Sequence, residues 1–170
     1  VLADGRSLDQ HQLRKLMTRQ GVTLVDRDDP KGPDGTGRVG WCETGKLDSL
    51  GHSLGASLVR EIPNSVDEAV GLVQSLLEAG WGKVRVVTDH GWLLVPESLL
   101  KVELPRSTVD NKWARCAAVR PGAQPGATVY SWYWDPHTKI AIPPGAGSYY
   151  GGVAYAHGGI SPQECVVPEV

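Results

Sequence analysis

Asp48, His52, Asp89, His90 and His157 are the side chains of this 170-residue chain whose types and spacing best fit metal chemistry. Asp48 and His52 stand one helical turn apart, which in a helix places a carboxylate and an imidazole on the same face, within reach of one cation. Asp89 and His90 are adjacent and end the run Val84-Arg85-Val86-Val87-Thr88, a β-branched stretch that reads as a short buried strand. The carboxyl end of such a strand is where open α/β sheets gather their ligands, and Gly91 permits a sharp turn there. His157 precedes Gly158-Gly159, a tight turn with open backbone. Each group also has a plainer reading, as an i,i+4 polar pair on a wet helix face or a solvated pair at a strand end. Of the other histidines, His11 falls in a helical pattern near the start, and His137 follows Asp135-Pro136 in a hairpin turn. Both are expected at the surface. Aspartate and histidine without a nearby Cys-x-x-Cys point to a hard-to-borderline divalent ion, Zn²⁺ or Mn²⁺, rather than a thiolate structural site.

The elements that must position these side chains alternate between helix and strand. Ser7 is an expected N-cap for a helix carrying Leu8, Leu13, Leu16 and Met17, which Gly21 closes. Val22–Val25 reads as a short strand, and Asp26–Gly40 as an exposed loop rich in proline, glycine and aspartate. A helical pattern starts at Leu47, with Leu50, Leu54, Leu58 and Val59 on related faces, and Pro63 interrupts it. Ser65–Ala79 is the strongest helix, with a capping box from Ser65 to Glu68 and a stripe of Val66, Ala69, Val70, Val73, Leu76 and Leu77. That helix followed by the strand Lys83–Thr88 is the αβ half of a βαβ unit, so the expected fold is α/β, a mostly parallel sheet flanked by helices. Short segments at Leu99–Leu104, Trp113–Val119, Thr128–Trp134 and Ile140–Ile142 add a small antiparallel excursion. A short helix or turn and a last strand follow His157.

Composition narrows the class. The length suits one domain over residues 1–170, and the formal charge of −2 gives no basic excess for strong binding to a nucleic-acid backbone. Cys42, Cys116 and Cys165 are odd in number and widely spaced, as expected of reduced thiols in a cytoplasmic protein. No apolar run approaches a membrane span. Six tryptophans and five tyrosines against no phenylalanine place aromatic residues with polar handles near clefts or surfaces.

Four blocks in order carry a resemblance: Leu47-Asp48-Ser49-Leu50-Gly51-His52, Val86-Val87-Thr88-Asp89-His90-Gly91-Trp92-Leu93-Leu94, Lys112-Trp113-Ala114-Arg115-Cys116-Ala117, and Tyr155-Ala156-His157-Gly158-Gly159 through Pro168. The chain resembles the PglZ domain, a member of the alkaline phosphatase superfamily found in bacterial phage-exclusion (BREX) systems. The resemblance implies an alkaline-phosphatase-like fold and a two-ion phosphoryl-transfer site. Asp48, His52 and His157 would hold one ion, and Asp89 with His90 the second. Arg115 or Lys112 would pair with the substrate phosphate. It implies hydrolysis of phosphomonoesters or phosphodiesters in phage defence, with a phosphorylated substrate or nucleic acid and other defence proteins as partners and no membrane.

The superfamily also uses an early aspartate ligand and a Ser or Thr nucleophile after its first strand. Asp4 and Ser7 precede a helix and have no apolar strand before them. The chain, which opens on Val1, is therefore expected to be the carboxyl-terminal portion of a larger protein, inactive by itself because the nucleophile and one aspartate are missing. The alternative is a non-catalytic scaffold of a BREX-type complex, for which Trp132-Tyr133-Trp134 would suit a protein contact.

Overall fold

The computed structural model of the chain describes residues 9–132, 135–167 and 169–170. In chain order the elements are Gln10–Arg19 (α1), Val22–Leu24 (β1), Val39–Trp41 (β2), Leu47–Leu54 (α2), a 3₁₀ segment Gly55–Arg60, and Ile62–Glu78 (α3). Then come Leu93–Leu94 (β3), Leu100–Lys101 (β4), Val109–Lys112 (β5), Ala117–Val119 (β6), Thr128–Trp132 (β7), Asp135–Ile142 (β8), Gly147–Ser148 (β9), Tyr155–Ala156 (β10) and Pro162–Cys165 (α4). The architecture is mixed α/β, with short helices and small sheets that are mostly antiparallel and partly parallel. No helix among the described residues is long and apolar enough to cross a membrane.

Where the sequence reads as one domain, the backbone clusters into two compact units. One comprises residues up to Lys46 together with Pro63–Val84, and the other Leu47–Ile62 with Arg85–Val170. In the first unit, α1 is capped by Asp9, whose carboxylate accepts from the Gln12 amide at 2.7 Å. The expected cap, Ser7, lies outside the described residues. Strands β1 and β2 pair in parallel, Val22 opposite Val39. Glu43, just beyond β2, ties the helix to the sheet by accepting from Gln10, Arg14 and Trp41. Trp81 is the buried anchor, with its indole N–H donating to the Lys31 carbonyl at 2.9 Å.

Helix α3 begins at Ile62, ahead of the Ser65 start that its capping pattern predicts. Pro63 therefore sits in the first turn, where a missing N–H costs no helical bond. Ser65 is then inside the helix, and the expected stripe is rotated: Leu76 is buried while Val66, Val70 and Leu77 are half exposed.

The second unit holds every candidate site residue. Its main sheet is antiparallel in the order β5-β6-β8-β7, and a core of Leu104, Val109, Ala117, Val119, Ala141 and Tyr149 packs against it. Leu104, Val109 and Val119 each contribute roughly 1.5–3 kcal/mol by leaving water. The antiparallel excursion expected from sequence is thus the largest sheet among the described residues, where the parallel pairs are β1 with β2 and β4 with β9.

Two strand expectations shift. Trp113–Val119 is not one strand: Trp113–Cys116 is the turn of the β5–β6 hairpin, closed by Trp113 N–H donating to the Cys116 carbonyl at 2.8 Å. Lys83–Thr88 forms no extended ladder. Among the described residues its backbone pairing is a single reciprocal couple, Val86 with Val170, with Val86 and Val87 half exposed. A strand with one partner pair and apolar side chains left open to water has little to hold it in a sheet.

Candidate metal centre

Three short elements converge. On α2, Asp48 and His52 do share a face, with His52 Nε2 at 3.6 Å from Asp48 Oδ1. His90 lies just before β3, and His157 just after β10. Those two strands pair antiparallel, Tyr155 opposite Leu94 and Ala156 opposite Leu93. That pairing stacks the imidazoles of His90 and His157, with centroids 4.0 Å apart and 9° between planes. His157 Nε2 is 3.1 Å from Asp48 Oδ1 and 3.1 Å from His52 Nε2. One ligating atom from each of Asp48, His90 and His157 lies within 4.8 Å of the others.

The protonation chemistry of this donor set fits a cation. His90 Nδ1 is 2.9 Å from the Gly91 carbonyl, which can only accept, so Nδ1 carries the proton and a neutral ring presents the Nε2 lone pair. A ligating histidine is commonly oriented in this way by its second nitrogen. Burial, and then the neighbouring His90, push the His157 pKa below the ordinary histidine value, with Asp48 pulling the other way. The net effect favours the neutral imidazole, the form that binds metals.

Asp89 stands apart from the cluster. Its side chain is 90% exposed and reaches only the rim, 3.8 Å from His90 Nε2. The division expected from sequence, with His90 beside Asp89 in a second site, gives way to His90 facing Asp48 and His157. Gly91 also has a different reason to be glycine than turn freedom: a Cβ there would overlap the Gln163 carbonyl oxygen, and its N–H donates to Glu164 O at 2.9 Å.

Arg115 is not open to a substrate phosphate. Its side chain is 1% exposed, and its Nε and Nη2 each donate at 2.8 Å to Glu164, while Nη1 donates to the Gly147 carbonyl. Glu164 also accepts from the Gly159 amide and the Ser161 hydroxyl. Burial opposes ionisation of Glu164, but these hydrogen bonds, Arg115's first, outweigh it and hold the carboxyl down to about 2. The pair therefore braces the turn that carries His157. Lys112 keeps its ammonium over the Tyr150 ring, 5.2 Å from the centroid.

Sequence reasoning missed Tyr155, whose hydroxyl donates to Asp48 Oδ1 at 3.0 Å. Burial first, and then the bond to Asp48, push this phenol well above its ordinary range, so it remains a donor. The signal available was its position two residues before His157, the spacing at which extended residues share a side. Glu164 was also missed as a structural partner, although Ser161-x-x-Glu164 is a capping-box pattern, and the box is formed. Comparison with protein-family models, curated proteins and solved structures finds no match to this chain.

Proposed function

We propose that the Asp48–His52–His90–His157 cluster binds a divalent ion, Zn²⁺ or Mn²⁺, and that the protein is a metal-dependent hydrolase of phosphate esters. The observation that carries this reading is the approach of the Asp48, His90 and His157 ligating atoms to within 4.8 Å, with His90 Nε2 freed as a lone-pair donor by the bond at Nδ1. Asp48, His90 and His157 would hold the ion, with His52 beside them, and Asp89 is the rim carboxylate available to a second ion. The ion would supply Lewis-acid stabilisation of charge on the phosphoryl oxygens. The chain's own part is to favour the neutral form of the His157 imidazole, to leave His90 Nε2 as the lone-pair donor and to aim the Asp48 carboxylate. The alkaline-phosphatase-like fold, the place in phage defence and the partnership with other defence proteins belong to this proposal through the resemblance of the motifs to the PglZ domain. So does the need for a nucleophile from outside residues 1–170.

The test is elemental mass spectrometry of the purified protein after equilibration with Zn²⁺ or Mn²⁺ and gel filtration. A stoichiometric ion that disappears in His157→Ala supports the reading, and a protein that retains none refutes it. The scaffold alternative is favoured by one observation: β7 is an edge strand on which Tyr130 and Trp132 are each more than 40% exposed. A metal-free protein that still captures defence-system components through β7 would establish it.

A further inference from the structure

Tyr155 touches three members of the cluster, Asp48, His52 and His157, and it binds no ion in the reading above. Its hydroxyl donates to Asp48 at 3.0 Å. Its ring meets His52 edge-on at 5.2 Å, lies tilted against Trp92 at 5.8 Å and stands 6.2 Å from His157. Tyr155 is 3% exposed, whereas the Asp48 side chain is 53% exposed. A half-exposed carboxylate on the first turn of a short helix can adopt several rotamers. A buried phenol anchored in a strand pair cannot follow it.

From this contrast we infer that Tyr155 is the positioning residue of the site: it fixes the Asp48 carboxylate toward His90 and His157 by a hydrogen bond from a rigid strand. The inference rests on the metal-site reading and adds to it the group that preorganises the Asp48 carboxylate. Outer-sphere donors of this kind orient the ligand and are worth roughly 10–100-fold in metal affinity.

The experiment titrates Co²⁺ into wild type, Tyr155→Phe and Trp92→Phe, and reads both the dissociation constant and the visible d–d absorption of the bound ion. Tyr155→Phe keeps the ring and its packing and removes only the donor. The expected result is roughly 10–100-fold weaker Co²⁺ binding with a changed absorption envelope, at an unchanged circular dichroism spectrum. Trp92→Phe, which disturbs the packing of the Tyr155 ring and keeps its hydroxyl, is expected to bind within about twofold of wild type, well inside that range. Equal binding and equal spectra for wild type and Tyr155→Phe would overturn the positioning role and leave the metal site standing. So would an equal loss in both variants, which would assign the effect to packing. A wild type that takes up no Co²⁺ would overturn the metal site and this inference with it.

Discussion

The imidazoles of His90 and His157 lie face to face, 4.0 Å apart and 9° from parallel. His157 is partly buried, and two imidazolium ions at that spacing would also repel, so the proton it would ordinarily hold near pH 6.5 is lost more readily. In metal-free protein, the NMR titration of the His157 ring is expected to show a midpoint below 6.5. The sign for stability follows. Below 6.5 the unfolded chain binds a proton that the folded one refuses, so this residue subtracts stability as pH falls through that value. A midpoint at or above 6.5 would show that the His157 ring is not buried against His90 in solution.

Arg115 and Glu164 give a second, independent pH signature. The Glu164 carboxyl is held at about 2 in the folded chain against an ordinary value of 4.5. Its contribution is therefore fully present above 4.5 and drains away as pH falls toward 2. Removing one partner strands a buried charge, so Arg115→Ala is expected to cost about 3–5 kcal/mol in denaturant unfolding at neutral pH. In Glu164→Gln the acid-dependent loss between 4.5 and 2 should be visibly reduced. An Arg115→Ala protein as stable as wild type would mean that the guanidinium is not sequestered.

Asp48 and Asp89 are both carboxylates beside a histidine, yet the geometry separates them. Asp48 accepts from Tyr155 and lies 3.1 Å from His157, while Asp89 is 90% exposed. Asp48→Ala is expected to weaken uptake of the first ion by more than the roughly 10–100-fold of an outer-sphere change, and Asp89→Ala by far less. Isothermal titration with Zn²⁺ or Mn²⁺ checks both. Equal losses would place Asp89 in the first ion's ligand set.

The sequence was most legible where chemistry and local spacing coincide. One helical turn between Asp48 and His52 sufficed to put them on one face, and the turn at His157-Gly158-Gly159 was readable from its glycines. The antiparallel pattern of Thr128–Trp132 and Ile140–Ile142 was also visible, although Tyr133 and Trp134 fall outside the described residues. What failed depends on long-range pairing. Val84–Thr88 has strand composition, but composition does not say how many partners a strand finds, and among the described residues its backbone pairing is Val86 with Val170. Arg115 reads as a spare cation near a site until Glu164, distant in sequence, is seen to accept from both its Nε and its Nη2. Tyr155 shows the same limit, because nothing local says that its hydroxyl reaches a helix at Asp48.

Gly51 offers the sharpest test of how α2 meets β10. Glycine inside a helix is ordinarily a loss of about 0.5–1 kcal/mol relative to alanine. Gly71 in the middle of α3 has open space where a Cβ would stand, so Gly71→Ala is expected to stabilise by about that amount. Gly51 is equally helical, but it is buried, and a Cβ there would overlap the Tyr155 ring. Overpacking of this kind costs about 1–3 kcal/mol, more than the helical gain returns, so Gly51→Ala should be net destabilising. It should also push the phenol from Asp48 and weaken Co²⁺ binding in the same direction as Tyr155→Phe. Denaturant melts of both alanine variants decide the matter: opposite signs support the close seat of Tyr155 on α2, and a stabilised Gly51→Ala would show that the ring does not rest there.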